Sequence, residues 1–273
     1  MVTSLVLRPV LERANGAALA RVGAVTARNF FAVRHSGYWL VVVSGFFEPV
    51  LYLLSIGVGV GGLVGGFQLA DGRTVSYAAF VAPAMLAASA MNGAMAESTF
   101  NFFARMKWVR LYDAMVATPL RPFEIALGEL GWALFRGSLY SVAFLGLMIW
   151  LGLTTAGWAL AALLASLLVG LAFGGVGMAI ATAMRTWQDF DYLTVIQFGL
   201  FLFSGTFAPV DSYPPVMRII VEITPLYHAV ELIRDLTTGL PNWAMLGHVA
   251  YLVAMATIGL AVAARRMGRI LCK

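Results

Sequence analysis

The chain has 273 residues, of which 61% are hydrophobic and only 11% charged, and it carries a net charge of +5. A water-soluble domain is about 45–50% apolar and about 25% charged, so this composition excludes a soluble globular fold and makes lipid the solvent for most of the chain. The single cysteine, Cys272, leaves no disulfide framework and no cysteine-based metal site.

In chain order, residues 10–36 come first. Arg21, Arg28 and His35 recur every seven residues among Ala, Val and Phe. That pattern predicts a helix lying in the membrane interface, its basic side toward lipid headgroups. Six stretches then reach the roughly 20 apolar residues that a hydrocarbon core of about 30 Å demands. They fall at 38–63, 77–98, 126–151, 157–184, 192–210 and 243–264. The expected fold is an all-α membrane protein, one domain over 1–273 with six transmembrane helices.

The basic residues give this arrangement a direction. Arg8, Arg13, Arg21, Arg28 and Arg34 precede the first stretch, and Arg105, Lys107, Arg110 and Arg121 separate the second from the third. Arg185 follows the fourth, and Arg265, Arg266, Arg269 and Lys273 follow the sixth. These are 14 of the 18 Lys and Arg, all on one side of a six-span chain. Basic loops stay cytoplasmic, so both termini are expected inside the cell membrane. This distribution also accounts for the positive charge without nucleic acid as a partner.

Between the second and third spans lies MKWVRLYDAMVATPLRPFEIALGE, residues 106–129. A short helix ended by proline, with Trp108, Leu111, Tyr112 and Met115 available, suits docking into a groove on a soluble partner. It also suits a solvated connector. Charges fall inside two spans: Glu48 in the first, Glu129 and Arg136 in the third. Such groups usually face a bundle interior or a watery path. Glu129 and Arg136 share a helix face two turns apart, so each needs a partner on another helix. They either line a polar path or form satisfied packing pairs.

The fifth apolar run is broken by FSGTFAPVDSYPP, residues 203–215. Val216–Ile223 and Leu226–Leu236 follow, each too short to span. Arg218 with Glu222, and Glu231 with Arg234 and Asp235, sit at helical spacing beside apolar stripes. Two short amphipathic helices over 216–236, folded back in the outer leaflet, are expected.

Several chemistries are absent. The only lysines, Lys107 and Lys273, follow Met and Cys, so no P-loop G-x-x-x-x-G-K-[ST] exists and ATP would have to bind another subunit. GVGVGG at 57–62 fits G-x-G-x-x-G but ends a membrane span with no strand before it. The spacings Gly57/Gly61, Gly61/Gly65 and Gly170/Gly174 fit close helix packing instead. His35, His228 and His248 read as isolated, and no nucleophile elbow is present.

Together these stretches resemble the permease subunits of type-2 ATP-binding-cassette exporters, over nearly the whole chain. ARMKWVRLYDAMVATPLRPFEIALGE is similar to that family's coupling segment and the start of its third span. FLFSGTFAPVDSYPP with ITPLYHAVELIRDLTTG is similar to its outer signature. The likeness runs toward permeases that export nodulation lipo-oligosaccharides, and further off toward drug and cell-surface-glycan exporters. It implies a complex of two permeases, the same chain or a homologous one, with two ATPase subunits that bind ATP and Mg. By position, Tyr112, Asp113, Pro119, Leu120, Arg121 and Pro122 would couple to the ATPase, and Glu129 matches the acidic residue opening the third span. Phe207, Pro209, Pro214, Pro225, Glu231 and Arg234 match the outer motif and would shape an outer gate. Relatives often carry Phe-Pro where this chain reads Phe-Ala-Pro. The function implied is export of an amphipathic substrate, with no catalysis and no cofactor on this chain. The alternatives are a secondary transporter or channel, which calls for ion-coupling carboxylates and repeated halves, and a membrane enzyme, for which Asp189 and Asp191 beside Arg185 are the nearest cluster.

Overall fold

The computed structural model describes residues 3–34, 47, 50–64, 66–68 and 72–271. The chain is almost wholly helical there. α1 (Thr3–Arg34) is followed by α2 (residues 50–64), whose Leu53–Val60 part is π-helical. A two-stranded antiparallel hairpin, β1 (Gly66–Gln68) with β2 (Thr74–Ser76), leads into α3 (Tyr77–Trp108). After the short α4 (Leu111–Val116) come α5 (Pro122–Trp150), α6 (Ala156–Ala181) and α7 (Asp189–Leu202). Two short helices, α8 (Pro215–Ile223) and α9 (Pro225–Thr238), precede α10 (Ala244–Leu271).

Four of these helices, α3, α5, α6 and α10, are long and apolar enough to cross a membrane. Six spans were expected, and the difference has two sources. The first expected span, 38–63, lies largely outside the described residues, and Glu48 lies outside them as well. The fifth, 192–210, is a helix of 14 residues that stops at Leu202. At a rise of about 1.5 Å per residue it covers about 21 Å, short of the hydrocarbon core. The helix stops because Phe203 leaves helical geometry and Gly205 adopts φ +70°, a left-handed value that glycine reaches at no steric cost.

The second expected span, 77–98, instead runs ten residues further, to Trp108. Two π-helical stretches, Glu97–Asn101 at the expected end and Ala104–Trp108 beyond it, carry the helix on. Extra π turns recur at functional sites, and these two carry Glu97 and Arg105. α3 is the central helix. Its buried face is built of Ala82, Ala84, Ala87, Ala90 and Ala94 with Met85 and Met91, small residues that let neighbouring backbones come close.

Among the described glycines, backbone approaches backbone most closely between α6 and α10. A Cβ on Gly259 would stand 2.6 Å from the backbone carbon of Gly175. α6 also meets α5 and α3 through glycine: a Cβ on Gly174 would meet Leu130 at 2.5 Å and Ala94 at 3.9 Å, and one on Gly170 would meet Leu134 at 3.1 Å. The Gly170/Gly174 pair is therefore a packing pair; a Cβ on Gly61 would meet Tyr77 at 3.5 Å, and Gly65 lies outside the described residues.

α1 lies along the first half of α5, not merely along a membrane surface. Val25 is buried there, and a Cβ on Gly128 would be 2.5 Å from it. Thr26 Oγ1 donates to the Gly128 carbonyl at 2.9 Å. The arginines expected to face headgroups turn inward to the protein: Arg21 holds Glu124 at 2.5 and 2.9 Å, and Arg28 pairs with Glu129 at 3.6 Å. A carboxylate within reach offsets part of the desolvation that each arginine suffers on turning inward. His35 is outside the described residues.

Candidate functional site

Where α1, α3 and α5 meet, charged side chains gather in the interior. Glu97 and Glu129 are each about 2% exposed. Arg105 bridges them, donating to Glu97 Oε1 at 2.7 Å and also to Glu129 Oε2. Asn101, one turn along from Glu97, donates to its Oε2 at 2.8 Å, and Arg136 of α5 donates to the same oxygen at 2.8 Å. Glu129 further receives Asn29 at 3.1 Å. Buried charges survive only when paired and hydrogen-bonded, and this cluster meets that condition across three helices. Glu129 and Arg136 thus find their partners on other helices.

Arg136 also faces a cavity of about 550 Å³, a size suited to a small amphipathic ligand. α3 supplies Met85, Ser89, Asn92, Ala96 and Thr99 to its wall, and α7 supplies Phe190, Thr194, Gln197 and Phe201. Tyr52 of α2 and Tyr140 of α5 complete it. Tyr140 accepts from Arg136 Nε at 2.9 Å. The lining therefore combines aromatic rings with a band of neutral amides and hydroxyls, and its one cation is tied to Glu97.

Near the charge cluster stands α4. Arg110 precedes it at φ +52°, the sole non-glycine residue with positive φ among those described, which turns the chain sharply out of α3. Pro122 starts α5 at the position where its missing N–H costs nothing, and Glu124 accepts from the Arg121 backbone N–H at 3.0 Å. Of the residues expected to couple, Asp113, Pro119 and Arg121 are exposed, while Leu120 and Pro122 are half-buried. Tyr112 points the other way: it is fully buried, its ring centroid 5.1 Å from that of Phe102. Burial pushes its phenol well above the usual range, Glu129 adds to the rise and Arg105 opposes it.

At the far end of α3 the broken segment is held by Arg234 and Tyr77. Arg234, buried on α9, donates to the Gly205 carbonyl at 2.8 Å and to the Phe80 carbonyl at 3.4 Å. It pairs with Glu231 and lies 4.0 Å above the Phe80 ring. Tyr77 donates to the Phe207 carbonyl at 3.3 Å. Pro209 stands before the 3-10 turn Val210–Ser212, Pro214 before α8, and Pro225 opens α9 after its cap Thr224. Of the expected outer residues, the geometry joins Glu231 and Arg234 in one anchor, ties Phe207 to Tyr77 and the Phe201 ring, and gives the three prolines the element boundaries. His228 and His248, read as isolated, are in fact neighbours: their Nδ1 atoms are 2.7 Å apart, and Tyr251 covers His228 at 4.0 Å. The turn between α9 and α10 brings them together, which spacing could not reveal.

A sequence profile described as "ABC-2 type transporter" matches residues 21–238. The chain belongs to the ABC-2 type transporter family. It is similar to Nodulation protein J of Rhizobium leguminosarum bv. viciae, 33% identical over 90% of this chain and 95% of that protein. It is likewise similar to the protein of that name from Rhizobium leguminosarum bv. trifolii, at 34% identity over 90% of this chain and 94% of the relative. A third, from Rhizobium meliloti (strain 1021), is 31% identical over 86% of this chain and 88% of the relative. The profile match runs from Arg21 of α1 to Thr238 of α9, so the charge cluster, the cavity and the Arg234 anchor of this permease all lie inside the family-wide region.

Reading the sequence alone missed Glu97, Arg105 and the cavity of this permease, although both left a trace. Glu97, Asn101 and Arg105 recur every four residues, one stripe on one helix. Met85, Ser89, Asn92, Ala96 and Thr99 form a second stripe at steps of three and four.

Proposed function

We propose that this permease is the transmembrane subunit of an ATP-driven exporter, moving an amphipathic molecule such as a lipid-linked saccharide, a glycolipid or a hydrophobic drug out of the cytoplasm or inner leaflet. ATP and Mg bind a separate ATPase subunit, which docks on α4 and the turn through Pro119–Pro122. Two permease copies, identical or homologous, form the pathway. The segment 203–238 caps its outer end as a gate. The observation that carries this reading is the cavity: aromatic surface for a hydrocarbon or ring system, a polar band for a hydroxyl-rich head, and a floor residue wired to the charge cluster behind α4. Membership in an ABC-2 family favours it over a secondary transporter or channel.

The test is to co-express the chain with an ABC ATPase from a neighbouring reading frame, reconstitute the complex, and follow a fluorescent short-chain glycolipid. Uptake into inside-out vesicles should require ATP and fail with the chain alone. Equal movement by the purified chain without nucleotide would refute it. With the ATPase bound, replacing Pro209 or Pro214 should slow uptake without dissociating the complex.

A further inference from the structure

Three atoms in the charge cluster are buried without a hydrogen-bond partner: the hydroxyl of Tyr112, Nε of Arg28, and Oε1 of Glu129, whose one neighbour is the Arg28 guanidinium at 3.6 Å. The first two are donors and the third an acceptor that lies beyond hydrogen-bond reach of Arg28. An unmet buried group costs free energy, so an arrangement that joins the Tyr112 hydroxyl to Glu129 Oε1 is favoured as soon as α4 moves to permit it. The phenol is held neutral by its surroundings, hence able to donate.

The consequences follow from how the cluster shares its protons. Glu129 Oε2 takes Arg105, whose other nitrogen serves Glu97. A carboxylate that gains a Tyr112 donor needs Arg105 less. Arg105, which already holds Glu97 Oε1, can then turn fully to that carboxylate and crowd Arg136 on Oε2. Arg136, slackened from Glu97, keeps Tyr140 and the cavity.

We propose that Tyr112 is a positioning residue that carries movement of α4 to the cavity: its hydroxyl closes onto Glu129 Oε1, Arg105 shifts to Glu97, and Arg136 at the cavity floor is released. This rests on the exporter reading above, since it takes ATPase docking to move α4. The floor of the cavity then alternates between a guanidinium neutralised by Glu97 and a more strongly cationic one, so a polar or anionic headgroup is held differently in the two states.

The experiment uses the complex with its ATPase in lipid nanodiscs, with Cys272→Ser, and nitroxides on Ser89→Cys of α3 and Thr194→Cys of α7, which both line the cavity. ATP with vanadate should change the spin–spin distance distribution. Tyr112→Phe deletes only the hydroxyl, and the shifted population should fall about fivefold, the weight of one buried hydrogen bond, at equal bound ATPase. Glu129→Gln weakens the hold on Arg105 by another route, and should give the shifted distribution without nucleotide. A residue needed only for folding would damage both variants alike. A Tyr112→Phe response equal to that of the unsubstituted complex overturns the relay and leaves the exporter reading standing. No nucleotide response in the unsubstituted complex, with ATPase bound, overturns both.

Discussion

At the residue scale the most consequential side chain is Arg234. Its guanidinium satisfies two carbonyls, of Gly205 and Phe80, and one carboxylate, of Glu231, which no other residue type does from one position. Arg234→Met keeps the volume but strands all three, so it should destabilise the protein by about 3 kcal/mol, read as reduced thermal stability in detergent. Arg234→Lys should recover part of that loss. The next residue, Asp235, makes a different kind of contribution. Burial first, then the neighbouring Glu231, raises its carboxyl from the ordinary 3.8 to about 6, against Asn242 and Arg234. The protonated form is thus the one that favours folding. Its contribution is complete below about pH 4 and is lost as pH rises through about 6. Asp235→Asn should therefore be more stable than the natural sequence at pH 7.5, and the gap should narrow as pH falls through about 6 toward 4. A gap that widened toward acid would contradict this assignment.

At the element scale, helices were legible where an apolar run and a cap coincide. α6 was expected at 157–184 and is Ala156–Ala181, and the two short helices after the break fall within two residues of the 216–236 expected. What was not legible was pairing between distant elements. Arg21 reaches Glu124 across 103 positions and Asn29 reaches Glu129 across 100, and nothing in periodicity announces such partners. The same holds for the α6–α10 crossing. A Cβ on Gly259 would meet backbone of Gly175 and Val176 at 2.6 Å, whereas one on Gly247 of the same helix meets nothing within 4 Å. Gly259→Ala must push two backbones apart and should cost about 1–3 kcal/mol. Gly247→Ala should be neutral or slightly stabilising, because alanine is the better helix former. Thermal unfolding of the two variants side by side separates close approach from glycine content as such.

At the scale of the whole molecule, α3 joins two chemically different ends. Tyr77 at its start bonds the capped segment through Phe207, and Trp108 at its finish stacks on Trp187 at 5.2 Å beside the turn carrying Arg185. At about 1.5 Å per residue, 32 residues make α3 about 48 Å long, so it crosses a core of about 30 Å and projects beyond it. The end that holds Trp108 also holds α4, with Arg110 exposed beside Asp113. A membrane retains basic loops on its cytoplasmic face, so this end should face inward and α4 should be within reach of a soluble ATPase. Single cysteines at Ala117 and Asp211, both exposed and at opposite ends, test the orientation in a Cys272→Ser background. An impermeant maleimide should label position 211 in intact cells and position 117 only in inverted vesicles. The reverse pattern would place the α4 face outside, where no ATP-hydrolysing subunit could press on Tyr112, and the cavity would need another source of energy.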